Sequence, residues 1–96
     1  MKTLMPSVSE CEVQECAYNE SRKCHAIAIN VGSAGHCPQC DTFFQMSKKG
    51  GNRTVIGGVG ACKQDDCTFN KLFECTANSV MVRLHAGHPD CATYRQ

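Results

Sequence analysis

The sequence predicts a small, metal-stabilised, β-rich and irregular fold. It predicts two tandem zinc-finger-like modules, each with a β-hairpin or a short three-stranded sheet. The first observation behind this is a repeat. Cys11, Cys16, Cys24 and Cys40 return as Cys62, Cys67, Cys75 and Cys91, each 51 positions later. Both copies read Cys-x4-Cys-x7-Cys-x15-Cys, then any residue, Thr and an aromatic, Phe43 or Tyr94. The second is length. The copies, taken as residues 8–46 and 58–96, fall just short of the ~40 residues below which an apolar core alone rarely offsets the entropy of folding. The third is composition. Nine Cys, no Trp and only six aromatics leave little ordinary core.

Cysteine clusters mean disulfides in oxidising compartments and metal sites in reducing ones. The opening Met-Lys-Thr-Leu-Met-Pro-Ser has only Lys2 in common with a secretion signal, and no apolar run of roughly 7–15 residues follows it. A cytoplasmic protein is therefore expected, with thiolate ligands rather than disulfides, and the odd total of nine Cys agrees. No window is long and apolar enough for a membrane span. The formal charge is +1. Two four-thiolate zinc sites would move it to about −3, which disfavours binding driven by phosphate attraction.

In chain order, Val8 and Val59 each precede the first Cys of a copy by three positions and are read as packing under the metal. The loops Cys11–Cys16 and Cys62–Cys67 are polar, and their spacing lets one ion take both sulfurs. Tyr18 and Phe69 follow the second Cys by two positions, on the side that can shield sulfur from water. Asn19 and Asn70 suit a tight turn, so a hairpin should return the chain to Cys24 or Cys75. Ala26–Val31 and Ala77–Leu84 are the best strands; Ile29 and Val31, like Val80 and Val82, should share a buried face. Gly32–Gly35 and Ala86–Pro89 read as bends. Residues 47–57, with Lys48, Lys49, Gly50 and Gly51, read as a linker in which Thr54–Ile56 could add an edge strand.

Cys16-Ala-Tyr-Asn19, Cys24-His-Ala26 and Cys40-Asp-Thr-Phe43 resemble domain-of-unknown-function family 1540, as do Cys67-Thr-Phe-Asn70, Cys75-Thr-Ala77 and Cys91-Ala-Thr-Tyr94. The resemblance covers both copies. It implies a small bacterial module that binds zinc, and it implies no activity.

Each copy offers five candidate ligands for a four-coordinate ion. The four-Cys sets, Cys11, Cys16, Cys24, Cys40 and Cys62, Cys67, Cys75, Cys91, are the first choice, with one zinc each. Cys37 and His88 occupy one aligned position; they are read first as a spare thiol and an exposed loop imidazole, and otherwise as alternative ligands or groups that shield the thiolates from outside. Iron held by four Cys has the same geometry and stays open. His25, His36 and His85 are read as surface residues. The function expected is non-enzymatic: two structural zinc modules that bind another macromolecule, a protein before a nucleic acid, with no small-molecule substrate. Leu72 and Phe73, at the tip of the second hairpin, are a candidate docking spot or packing against the rest of the chain. The alternative is metal storage and buffering, or a zinc-linked thiol switch through Cys37. An enzyme is disfavoured because both copies offer surplus ligands instead of an open coordination position.

Overall fold

A computed structural model describes residues 5–32 and 37–96. The bend read at Gly32–Gly35 and the surface placement of His36 lie mostly or wholly outside them. The described chain is β-rich and irregular, without a helix. Its strands are β1 (Ser7–Cys11), β2 (Asn19–Glu20), β3 (Lys23–Cys24), β4 (Ala28–Val31), β5 (Gly58–Cys62), β6 (Asn70–Lys71), β7 (Glu74–Cys75), β8 (Ser79–His85) and β9 (His88–Cys91).

Each copy has its expected hairpin, β2–β3 and β6–β7. The turns fall on Ser21-Arg22 and Leu72-Phe73, all four with φ between 54° and 69°. Left-handed backbone disfavours residues with a Cβ, and the preceding Asn offsets it. Asn19 donates from Nδ2 to the Cys11 carbonyl at 2.8 Å and accepts at Oδ1 from the Arg22 N–H. Asn70 does the same with the Cys62 carbonyl and the Phe73 N–H. Each Asn thus closes its turn and ties the hairpin to the first Cys of its own copy.

The main sheet is built by both copies together. Its order is β4-β5-β1-β8-β9. Strand β4 of the first copy pairs in parallel with β5 of the second, and β8 of the second pairs in parallel with β1 of the first. Between them β1 and β5 run antiparallel, with Ser7 opposite Gly58. Reciprocal hydrogen bonds mark a local two-fold axis there: Val8 N–H donates to the Gly57 carbonyl at 2.8 Å, and Val59 N–H to the Pro6 carbonyl at 3.0 Å. At the other end of the axis Gln39 bridges Asp90, flanked by Cys40 N–H to the Pro89 carbonyl and Cys91 N–H to the Pro38 carbonyl, both 2.8 Å. The 39–40 segment, bridged to Asp90 of β9 at Gln39 and to Val31 of β4 at Cys40, thus links the two ends of the sheet and closes it through single bridges. Closure protects strand edges that would otherwise invite pairing with other chains.

The alternation along β4 and β8 holds as expected. Ile29, Val31, Val80 and Val82 are buried, as are Val8 and Val59. Each such side chain stabilises by roughly 1.5–3 kcal/mol. Ordering each residue costs ~1–2 kcal/mol in backbone entropy alone, so these six, with only Val13, Ala17 and Ala26 as further buried aliphatics among the described residues, leave the fold dependent on cross-links.

The 47–57 segment forms no strand at Thr54–Ile56. It lies over the first copy as a strap. Gly50 N–H donates to the Ala17 carbonyl, Asn52 N–H to the His25 carbonyl and Gly57 N–H to the Cys24 carbonyl. Lys49 Nζ caps the carbonyls of Gln14 and Cys16. The strap buries His25, whose Nδ1 donates to the Val55 carbonyl at 2.8 Å, contrary to the surface position expected of it. His85 is exposed.

Candidate metal centres

The eight repeated cysteines fall into two groups around two cavities. Cys11, Cys16, Cys24 and Cys40 line one of about 20 Å³; Cys62, Cys67, Cys75 and Cys91 line the other, also about 20 Å³. That is room for one water-sized body. None of the nine Cys forms a disulfide. Val8, Tyr18 and Phe43 close in on the first cavity, and Val59, Phe69 and Tyr94 on the second, the positions the repeat singled out. Thr42 and Thr93 brace the last Cys of each copy: their hydroxyls accept from the N–H of Asn30 at 3.1 Å and of Met81 at 3.0 Å.

The shared sheet gives each cavity one wall from the other copy. Val82 and Pro89 of the second copy line the first cavity; Val31 and Pro38 of the first line the second. Ile29 and Val80 stay with their own copies. One strand therefore serves both centres, its alternate side chains turned to different ones.

Burial holds the grouped thiols neutral, while backbone N–H donors beside them favour the anion. Burial pushes the Cys40 thiol up to about 12, against the backbone N–H groups of Thr42 and Phe43, which favour the anion; the Cys16 and Cys24 sulfurs add to the rise. Burial likewise raises Cys11, opposed by the Val13 N–H and Asn19, and Cys24, opposed by the Ala26 N–H. In the second copy burial raises Cys75 and Cys91, opposed by the N–H groups of Ala77 and of Thr93 and Tyr94. Tyr18 N–H donates to Cys16 Sγ at 3.5 Å. Convergent sulfurs, N–H donors aimed at them and an apolar wall fit a soft or borderline cation, which would supply a cross-link and offset the cost of ionising buried thiols. The two centres differ in shelter. All four Cys of the first copy are buried, whereas Cys67, Cys75 and Cys91 are partly exposed.

Cys37 and His88 line neither cavity. The structure brings them to each other. With Asp90 they form a group whose candidate ligand atoms all lie within 4.8 Å of one another. His88 Nδ1 meets Asp90 Oδ1 at 2.7 Å, and Asp90 is only 6% exposed. Sequence reasoning missed Asp90, because its counterpart in the first copy is Gln39 and its role depends on residues from both copies.

A family model described as Domain of Unknown Function (DUF1540) matches residues 10–43 and 61–94. Comparison with curated proteins and with solved structures gives no match. The matched spans, the nine cysteines and the Cys37–His88–Asp90 group together suggest a metal-binding protein. The chain belongs to the DUF1540 family, of which it carries two copies.

Proposed function

We propose that this chain is a non-enzymatic, cytoplasmic zinc protein that holds two structural ions and uses the scaffold they fix to dock a protein partner. The observation that carries the zinc reading is the pair of small cavities, each surrounded by one four-Cys set. Four thiolates leave no open position for a substrate, and a structural site of this kind contributes its binding free energy to folding. The docking surface is the tip of the second hairpin. Leu72 is 93% exposed and Phe73 is 55% exposed, where the first copy has Ser21 and Arg22. Protein rather than nucleic acid is favoured because two of the three basic residues of the strap are engaged: Lys49 with backbone carbonyls and Arg53 with Glu20 at 3.5 Å.

Elemental analysis of the reduced protein, with intact mass under non-reducing conditions, tests the metal reading. Zinc retained by the two four-Cys sets and no mass loss from disulfides is the expected result; four disulfides and no metal would overturn it. A crosslinking pull-down with wild type and Leu72→Asn tests docking, which requires a protein captured by the first and lost by the second.

A further inference from the structure

Cys37 and His88 occupy the same position in the two copies, and so do Gln39 and Asp90. Sharing of strands carries both pairs onto the local two-fold axis, where Gln39 and Asp90 bridge each other and Cys40 and Cys91 donate to Pro89 and Pro38. Perfect repetition would place like beside like there. Instead the copies contribute a thiol from one side and an imidazole with a carboxylate from the other. The ligand atoms of all three lie within 4.8 Å of one another.

The geometry points to a third metal site on the axis, made by Cys37, His88 and Asp90 and separate from the two four-sulfur centres. Asp90 is the strongest part of the case. A buried carboxylate needs a cation or several donors, and at 6% exposure it faces His88 at 2.7 Å. A divalent ion entering here takes the Cys37 sulfur as thiolate, whose proton goes to solvent, and takes the His88 Nδ1 lone pair as the ring shifts its one N–H proton to Nε2. One sulfur, one nitrogen and one oxygen suit a borderline cation such as Zn2+ or Co2+. Three protein ligands leave a fourth position open to water. Access exists as well: a cleft of about 330 Å³, whose lining includes Pro38, Arg83, His85, Asp90 and Cys91, opens beside Asp90. The axial ion would clamp the bridge that closes the sheet, and its loading would report on free metal while the two buried ions stay in place.

The test is equilibrium dialysis of the reduced full chain against Zn2+, with the ions counted per chain, for wild type, Cys37→Ser, His88→Gln and Asp90→Asn. Three ions are expected in wild type and two in each variant. Titration with Co2+ should show a third equivalent whose sulfur-to-cobalt absorption is well below that of the first two, since it has one thiolate instead of four. Thermal unfolding identifies any variant that fails to fold, and the remaining variants then decide. Saturation of wild type at two ions with unchanged Co2+ spectra in the variants would overturn the axial site. A wild type that binds one ion, lost in Cys37→Ser, upholds the axial site while removing the four-sulfur reading.

Discussion

Val82→Ala separates a shared fold from two independent ones. Val82 belongs to the second copy, is 3% exposed and lines the cavity of the first. Truncation removes two methyl groups, about 1.6 kcal/mol of transfer free energy at ~0.8 each. The space left cannot collapse fully against a rigid sulfur cluster, so the whole loss should reach about 2–3 kcal/mol. In a domain of this size that is a large part of a total near 5–15 kcal/mol. The assay is alkylation of the metal-loaded protein, with modified peptides mapped by mass spectrometry and unfolding followed in parallel. In wild type the partly exposed Cys67, Cys75 and Cys91 should react before the buried Cys11, Cys16, Cys24 and Cys40. Val82→Ala should accelerate the first set, although Val82 is 71 residues from Cys11 in sequence. Val31→Ala should do the reverse, accelerating the second set. If Val82→Ala hastens only its own copy's cysteines and leaves the first set at the wild-type rate, the sharing of walls is refuted.

Replacing the Leu72-Phe73 turn by Asn-Gly, the pair best suited to two successive left-handed residues, should raise stability by about 1–2 kcal/mol in thermal unfolding, while abolishing any docking at that tip. Gly51→Ala should unseat the strap. Gly51 has φ 87° and leaves no room for a Cβ against the His25 carbonyl; a loss above ~1 kcal/mol is expected, with the first set of cysteines becoming as reactive as the second. The pH dependence should invert with metal. In the metal-free fold Cys11, Cys24, Cys40, Cys75 and Cys91 hold their protons more tightly than an unfolded thiol. Their contribution is present below the ordinary thiol range and is lost as pH rises through it toward about 12, where Cys40 ionises. The metal-bound protein should instead gain stability from mildly acidic pH upward, since binding releases those protons; denaturant titrations of both forms across pH check this.

Much of the fold was legible from residues alone. The 51-residue repeat gave the two sulfur groups, and the periodicity at Ile29, Val31, Val80 and Val82 gave the buried face. Asn19 and Asn70 gave the hairpins, through a local hydrogen bond that Asn side chains make readily. What stayed hidden was non-local. Because the copies carry the same apolar columns, β4 presents nearly the same edge to β1 as to β5, and pattern cannot say which it takes. Once that choice is unknown, the meeting of Cys37 with His88 and Asp90 is unknown as well, since it exists only when the copies interlock. His25 was misjudged for a related reason. The polar, Gly-containing 47–57 run has the composition of a solvated tether, and only its backbone donors, spaced to meet Ala17, His25 and Cys24, make it a cover.

The interlocking has a bearing on ancestry and assembly. A polypeptide with just one of these units would present two unsatisfied strand edges and a cavity lacking its Val-Pro lid, and a second molecule of itself could supply all three. Such a chain should therefore live as a homodimer and fall apart on dilution. Fusing two units end to end replaces that encounter with a tethered one at millimolar effective concentration, and it frees the twins to diverge where they face each other across the join.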